Sequence, residues 1–267
     1  MSADWPLWWQ GRVWSEPPPF DPRWPAFATG CTVFETVGVR AGRPWFWQRH
    51  LARLEQSAAA LAPDLYLFDR AALETGLAGL IEALGAADFA LRINLGIGPG
   101  LWLSPRELPR PPAAGVTAWL APAELAVAAG DPGAAHKHAG RWLKERAQRQ
   151  ARAKGAFEAL LPSSAGGFAC GSRSNLYAFF EGRWWTPPLS AGALPGIVRG
   201  LLLESGLAAE RPLERTQLEV APELALSNAL WLCCPVRALQ GSTRALPGAS
   251  GPAFQALSEG LEGLTGP

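Results

Sequence analysis

The sequence predicts a mixed α/β (α+β) chain built as two domains, on three observations. Runs with two-residue apolar alternation are repeatedly followed by runs with helical spacing. A length of 267 residues is enough for two hydrophobic cores. The stretch from Pro122 to Gly133, rich in alanine, proline and glycine, has no period of its own. The expected division is residues 1–121, a linker over 122–134, and residues 135–267.

Taken in order, Pro6 to Trp14 reads as a hairpin turning at Gln10-Gly11, ended by Pro17-Pro18-Pro19 because proline has no N–H for a ladder. Val33 to Val39 is β-branched and alternating, Ala41 to Pro44 is a turn, and Trp45-Phe46-Trp47 reads as the returning strand. From Gln48 the period becomes helical: Leu51, Leu54, Ala58 and Leu61 share one face, and Arg53 lies next to it. Asp69 is placed as the N-cap of a second helix through Leu73, Leu77, Leu80 and Leu84. Asp88 to Leu95 is a strand closed by the turn Gly96 to Gly100, Pro105 to Pro112 a polar loop, and Val116 to Leu120 a strand. Beyond the linker come an exposed helix from Trp142 to Lys154 and strands near 157–161, 175–180 and 183–186. A helix opened by Pro195-Gly196 and stopped at Gly206 follows, then a strand from Leu224 to Ser227 and a last helix from Phe254 to Leu264.

Composition narrows the function classes. A net charge of +1 argues against a polyanion-binding surface. The thirteen tryptophans are scattered, without the basic tract that a stacking platform for nucleic acid needs. Cys31, Cys170, Cys233 and Cys234 show neither metal spacing nor a disulfide framework, and with three histidines no zinc site is expected. The amino terminus has an acid where a signal peptide carries basic residues, and no apolar run is long enough to span a membrane. A cytoplasmic enzyme acting on a small molecule is the expectation.

One residue stands apart on chemical grounds. The chain has three lysines (Lys137, Lys144, Lys154) against twenty-one arginines, so plain positive charge is supplied by arginine. A lysine amine, unlike a guanidinium, can lose its proton near neutral pH and act as a nucleophile. Lys137 lies between His136 and His138, a pattern that by itself fits a solvated turn as well as a catalytic amine. Two segments offer backbone N–H groups to an anion, the helix start Gly196-Ile197-Val198 and the turn Ser227-Asn228-Ala229. Each also reads as an ordinary cap or turn. Gly96 to Gly100 lacks the lysine and hydroxyl of a phosphate loop and is read as a plain turn.

Around Lys137 the motifs fall in a telling order. Upstream are Val33-Phe34-Glu35-Thr36 and His50-Leu51-Ala52-Arg53-Leu54. Downstream are Phe157-Glu158-Ala159-Leu160-Leu161, Phe168 to Tyr177, Ala193 to Arg199 and Ser227-Asn228-Ala229-Leu230. This series resembles the fold-type IV pyridoxal-phosphate enzymes, which include branched-chain and D-amino-acid aminotransferases and 4-amino-4-deoxychorismate lyases. The resemblance implies a smaller amino-terminal α/β domain, a larger barrel-like carboxy-terminal domain, and pyridoxal 5'-phosphate between them. It implies Lys137 as the Schiff-base lysine, and Arg53, Gly196, Ile197, Val198, Ser227 and Asn228 as the grip on the cofactor phosphate. Cys170 stands where the family has a glutamate facing the pyridine nitrogen, and Cys31-Thr32 where Asp-Gly is common. A homodimer acting on a small amino substrate is implied too. Arg141 and Asn228-Ala229-Leu230 look more like the lyases, which form 4-aminobenzoate and pyruvate on the route to folate. The alternatives are an aminotransferase for branched-chain or D-amino acids, and a weakened cofactor-binding homologue.

Overall fold

Gln10 and Gly11 both take positive φ, 49° and 78°, so β1 (Leu7–Trp9) turns back into β2 (Arg12–Trp14) with the tight geometry a right-twisted hairpin requires. The computed structural model describes residues 5–64, 67–85 and 87–265; the amino-terminal residues on which the signal-peptide expectation rests, 1–4, lie outside them. The chain forms two compact units. One takes the residues up to Pro109 together with His136–Gly140, the other Arg110–Ala135 and the residues from Arg141 onward.

In the first unit a six-stranded sheet has the order β2-β1-β6-β5-β3-β4, with β3 (Thr32–Arg40), β4 (Arg43–Pro44), β5 (Phe89–Gly96) and β6 (Gly100–Glu107). The short α1 (Pro25–Ala28) precedes β3, and α2 (Trp47–Leu61) and α3 (Arg70–Leu84) supply its amphipathic helices. Val33, Val37 and Val39 share a core with Leu51, Leu54, Leu73, Leu77 and Leu80. Burying each leucine is worth about 1.5–3 kcal/mol. The expected N-cap is present, since Asp69 Oδ1 accepts from the Ala72 N–H at 3.0 Å. Gly76 is needed by packing: a Cβ there would come within 2.6 Å of the Trp8 ring and 2.7 Å of Leu103.

Several expectations are corrected. Trp45 to Trp47 is not a strand: Phe46 takes φ 52° ahead of α2, which begins at Trp47. Leu61, expected on the buried face, is 41% exposed at the end of that helix. The loop expected over residues 105–112 begins inside β6. Pro105 is tolerated there because β1 pairs with β6 at Trp102 and Leu103, leaving the strand edge beyond them without that neighbour.

The second unit contains an eight-stranded sheet, β12-β11-β10-β13-β14-β7-β8-β9. Its strands are β7 (Val116–Leu120), β8 (Glu158–Pro162), β9 (Phe168–Gly171), β10 (Asn175–Phe180), β11 (Arg183–Thr186), β12 (Ala208–Glu210), β13 (Glu223–Asn228) and β14 (Leu232–Leu239). Helices α4 (Trp142–Ala153), α5 (Ile197–Glu204), α6 (Arg215–Val220) and α7 (Pro252–Thr265) complete it. The units divide differently from the expected 1–121, 122–134 and 135–267. Strand β7 pairs with β14 and β8 in the second sheet, and Leu125 and Val127, in the supposed linker, are buried in a core with Ala147 and Ala151. Among the described residues no helix is long and apolar enough to cross a membrane, and no cluster of histidine, cysteine and acidic residues could hold a metal ion.

Candidate active site

The side-chain alternation of β3 puts Glu35 on the same face as Val33, Val37 and Val39, toward the core of the first unit. It is fully buried there. Helix α2 answers from its buried face with two polar residues one turn apart, His50 and Arg53. Arg53 grips the carboxylate with both prongs, Nε to Oε1 at 2.6 Å and Nη2 to Oε2 at 2.8 Å. His50 donates its Nδ1–H to Oε2 at 2.7 Å. Burial pushes the Glu35 carboxyl pKa up, but Arg53, His50 and Lys137 outweigh it and hold the group well below the usual carboxylate range. Burial, with Arg53 and Lys137, lowers the His50 pKa despite Glu35, so the ring is neutral near pH 7.

Lys137 reaches the same carboxylate from a distant part of the chain. Because β4 pairs only with Val39 and Arg40, the other end of the β3 edge is available to a second partner. The segment around Lys137 takes it, with Phe34 N–H donating to Lys137 O and Ala139 N–H to Thr32 O, each at 2.8 Å, and a bridge between Val33 and His138. Lys137 Nζ then lies 4.0 Å from Glu35 Oε2 and 5.3 Å from the Phe34 ring centre. His136 is turned to Ser57 Oγ, 3.2 Å from its Nδ1.

In the second unit Asn175 organises the two segments expected to hold a phosphate. Its Nδ2 donates to Leu194 O at 3.0 Å, its Oδ1 stands where a Cβ on Gly196 would go, and across the ladder it pairs with Ser227. Gly196 opens α5 with no side-chain cap, and Ile197 and Val198 in the first turn are buried. Ser227 Oγ is 2.9 Å from Tyr177 OH. Asn228 Oδ1 accepts from the N–H groups of Leu230 and Trp231 at 2.9 and 3.2 Å, closing the turn.

Cys170 lies on β9 opposite Leu161, buried among alanines, and burial raises its thiol pKa above the ordinary range. Nearby Glu158 is also fully buried. It accepts from Ser172 N–H at 3.0 Å, Ser172 Oγ at 2.5 Å, Ser174 Oγ at 2.9 Å and Ala159 N–H at 3.1 Å, so it braces the turn between β9 and β10. Burial raises the Glu158 pKa against those donors. Arg141 donates from Nη2 to Ser172 O at 2.8 Å.

Of the expected site residues, Lys137 and Arg53 meet on Glu35 in one unit. Gly196, Ile197 and Val198 are tied to Ser227 through Asn175 in the other, with Cys170 on a separate strand. Sequence reasoning assigned no role to Glu35, His50, Glu158 or Asn175. A signal existed for Glu35: an acid at the apolar parity of a strand.

The structure is similar to that of Escherichia coli branched-chain amino acid aminotransferase, with a TM-score of 0.82 at 20% identity over 97% of this chain and 94% of that one. It is similar to a putative 4-amino-4-deoxychorismate lyase from Legionella pneumophila, with a TM-score of 0.80 at 21% identity over 92% and 96%. A hypothetical aminotransferase from Mycobacterium tuberculosis in its PLP-bound form gives a TM-score of 0.81 at 22% identity over 97% and 98%. No curated protein matches the chain significantly. The family model described as amino-transferase class IV matches residues 32–239, from the start of β3 to the end of β14. The chain belongs to that family, and is a pyridoxal-phosphate-dependent aminotransferase or lyase.

Proposed function

We propose that the protein is a lyase that converts 4-amino-4-deoxychorismate to 4-aminobenzoate and pyruvate. The observation that carries the reading is Cys170, a fully buried thiol kept protonated by its surroundings, at the position where the family resemblance sets a carboxylate against the cofactor's ring nitrogen.

The residues present suit pyridoxal phosphate. Arg53 offers a guanidinium, and α5 opens on backbone N–H groups without a side-chain cap beside a glycine that Asn175 keeps bare. Arg53, Ile197, Val198, Ser227 and Asn228 would hold the phosphate, and Lys137 would carry the aldehyde carbon. When bound, the group supplies an electron sink for the pair released at the substrate carbon bearing nitrogen. Once the substrate amine has displaced it from the aldehyde carbon, Lys137 Nζ would be free to take the proton from the substrate carbon. Loss of that proton and cleavage of the ether C–O bond would leave the aromatic amine; the side chain would depart as enolpyruvate, which becomes pyruvate when its methylene carbon takes up a proton, so that the proton gained by Lys137 is returned overall. Cys170 offers the ring nitrogen a weak S–H donor and no negative charge. A reaction that ends in an aromatic ring needs less from the sink than reversible amino transfer, and this favours elimination over transamination.

A substrate panel with separate readouts for pyruvate release and for keto-acid amination tests the reading. Pyruvate release from aminodeoxychorismate should exceed amination of any common 2-keto acid. Efficient amination of branched-chain keto acids without pyruvate release would replace the lyase reading with an aminotransferase.

A further inference from the structure

The core around Glu35 has no need of a charge. Replacing a buried ion pair by apolar side chains is often neutral or stabilising, so a buried carboxylate with several polar partners calls for another reason. Glu35 replaces one member of an otherwise valine-lined parity, and His50 and Arg53 interrupt the apolar face of α2. Glu35 can only accept, so His50 Nδ1 carries the hydrogen; the ring is neutral, and its Nε2 is buried with no hydrogen-bond partner in the structure. Arg53 and Lys137 both approach this one carboxylate, Arg53 at 2.6 Å and Lys137 at 4.0 Å.

We infer that Glu35 is a positioning residue for phosphate recognition. By gripping Nε and Nη2 together it fixes the plane of the Arg53 guanidinium, and it gathers Arg53 and Lys137 on one anion. Both nitrogens are held at 2.6–2.8 Å, the range of strong charge-assisted bonds, so the fork cannot rotate without breaking two of them. The inference rests on Arg53 and Lys137 being the cofactor residues proposed above, and it assigns Glu35 a task that acts through Arg53.

The test is direct binding of pyridoxal phosphate and of pyridoxal, which lacks the phosphate, to the whole chain, followed by quenching of its tryptophans. Wild type, Glu35→Gln, Arg53→Gln and the double variant are compared. Glu35→Gln should weaken pyridoxal phosphate by about tenfold or more while changing pyridoxal by less than about twofold. In the Arg53→Gln background it should add nothing, because both changes remove the same contact. If Glu35→Gln fails to fold, Glu35→Asp, which keeps the charge but shortens its reach, should show the same phosphate-selective loss to a smaller degree. Equal losses for both ligands, or additive losses in the double variant, would assign Glu35 to the core alone and overturn the inference. A wild-type preference for the phosphate ester that Glu35→Gln leaves unchanged overturns it as well. A wild type with no such preference overturns the underlying reading and the inference with it.

Discussion

Phe34 donates its backbone N–H to the carbonyl of Lys137 at 2.8 Å, so Lys137 is mounted on a sheet edge and not on a loop tip. A side chain rooted in a strand register is held more tightly than one on a free turn, and its amine stands beside the Glu35 carboxylate. Borohydride treatment of the protein with pyridoxal phosphate should therefore give one stable secondary amine, found on the peptide containing Lys137. Lys137→Ala should abolish it. A reducible adduct that persists in that variant would show another lysine at work, and only Lys144 and Lys154 remain.

Gly196 faces Asn175 so closely that a methyl group would collide with Oδ1. Gly196→Ala should lower stability by about 1–3 kcal/mol, read from the denaturant midpoint, and weaken pyridoxal phosphate binding. Asn175→Ala should cost stability by itself because Leu194 O loses its donor. Combined, the two changes should cost less than their sum, since the second removes the atom with which the first collides. Simple additivity would mean that the contact does not limit the helix start.

Restoring a carboxylate at β9 should shift the balance of reactions. Cys170→Glu should raise transamination relative to pyruvate release, because a ring nitrogen held protonated makes a deeper electron sink. The longer side chain enters a region packed with small residues, so a melting curve should accompany the assay. An unchanged ratio in a folded variant would detach Cys170 from the choice of reaction.

Acid should act on the first unit through two groups of like sign. His50 has a depressed pKa in the fold, so the unfolded chain binds its proton more readily. Stability is lost as pH falls through the ordinary histidine value of 6.5, by up to about 1.4 kcal/mol per pH unit. Glu35, also depressed, contributes stability that is present above its ordinary 4.5 and lost as pH falls below it. His50→Asn, whose amide N–H can stand in for Nδ1–H, should flatten the upper part of this profile and leave the lower part. A profile between pH 5 and 7 with the wild-type slope would argue that His50 does not titrate on unfolding.

Much of this architecture was readable from spacing and turn chemistry. The hairpin at Gln10-Gly11, the Asp69 cap, and the helices from Arg70 and Ile197 follow from local signals that tertiary structure did not override. The strands β6 and β14 were hidden by prolines. Pro235 pairs with Ala225 on one side, while on the other side β7 joins only from Val236 onward. Strand β9 is four residues with two small ones, too short for alternation to register. Trp45 to Trp47 has the aromatic character of a strand, yet the chain had to leave the sheet there for α2 to cover the valines. Within the site, Lys137 stood out by chemistry and Arg53 by motif, whereas Glu35 was legible only as a breach of parity. The bracing of a turn by Glu158 left no local trace, because its partners Ser172 and Ser174 lie across a hairpin.

The docking of residues 137–139 on the edge of β3 also sets an order of events during synthesis. A ribosome delivers β3, α2 and the rest of the first sheet well before Lys137 has been made. The nascent unit thus matures with one end of an edge strand unpaired, and the lysine is added late as a closing clasp. A gene fragment ending near Pro109 would encode the Glu35–Arg53 pair without its amine and with that strand edge bare, a surface prone to pairing with another chain. Complementation by a synthetic peptide covering residues 136–140 would have to supply two backbone hydrogen bonds before it supplied any chemistry.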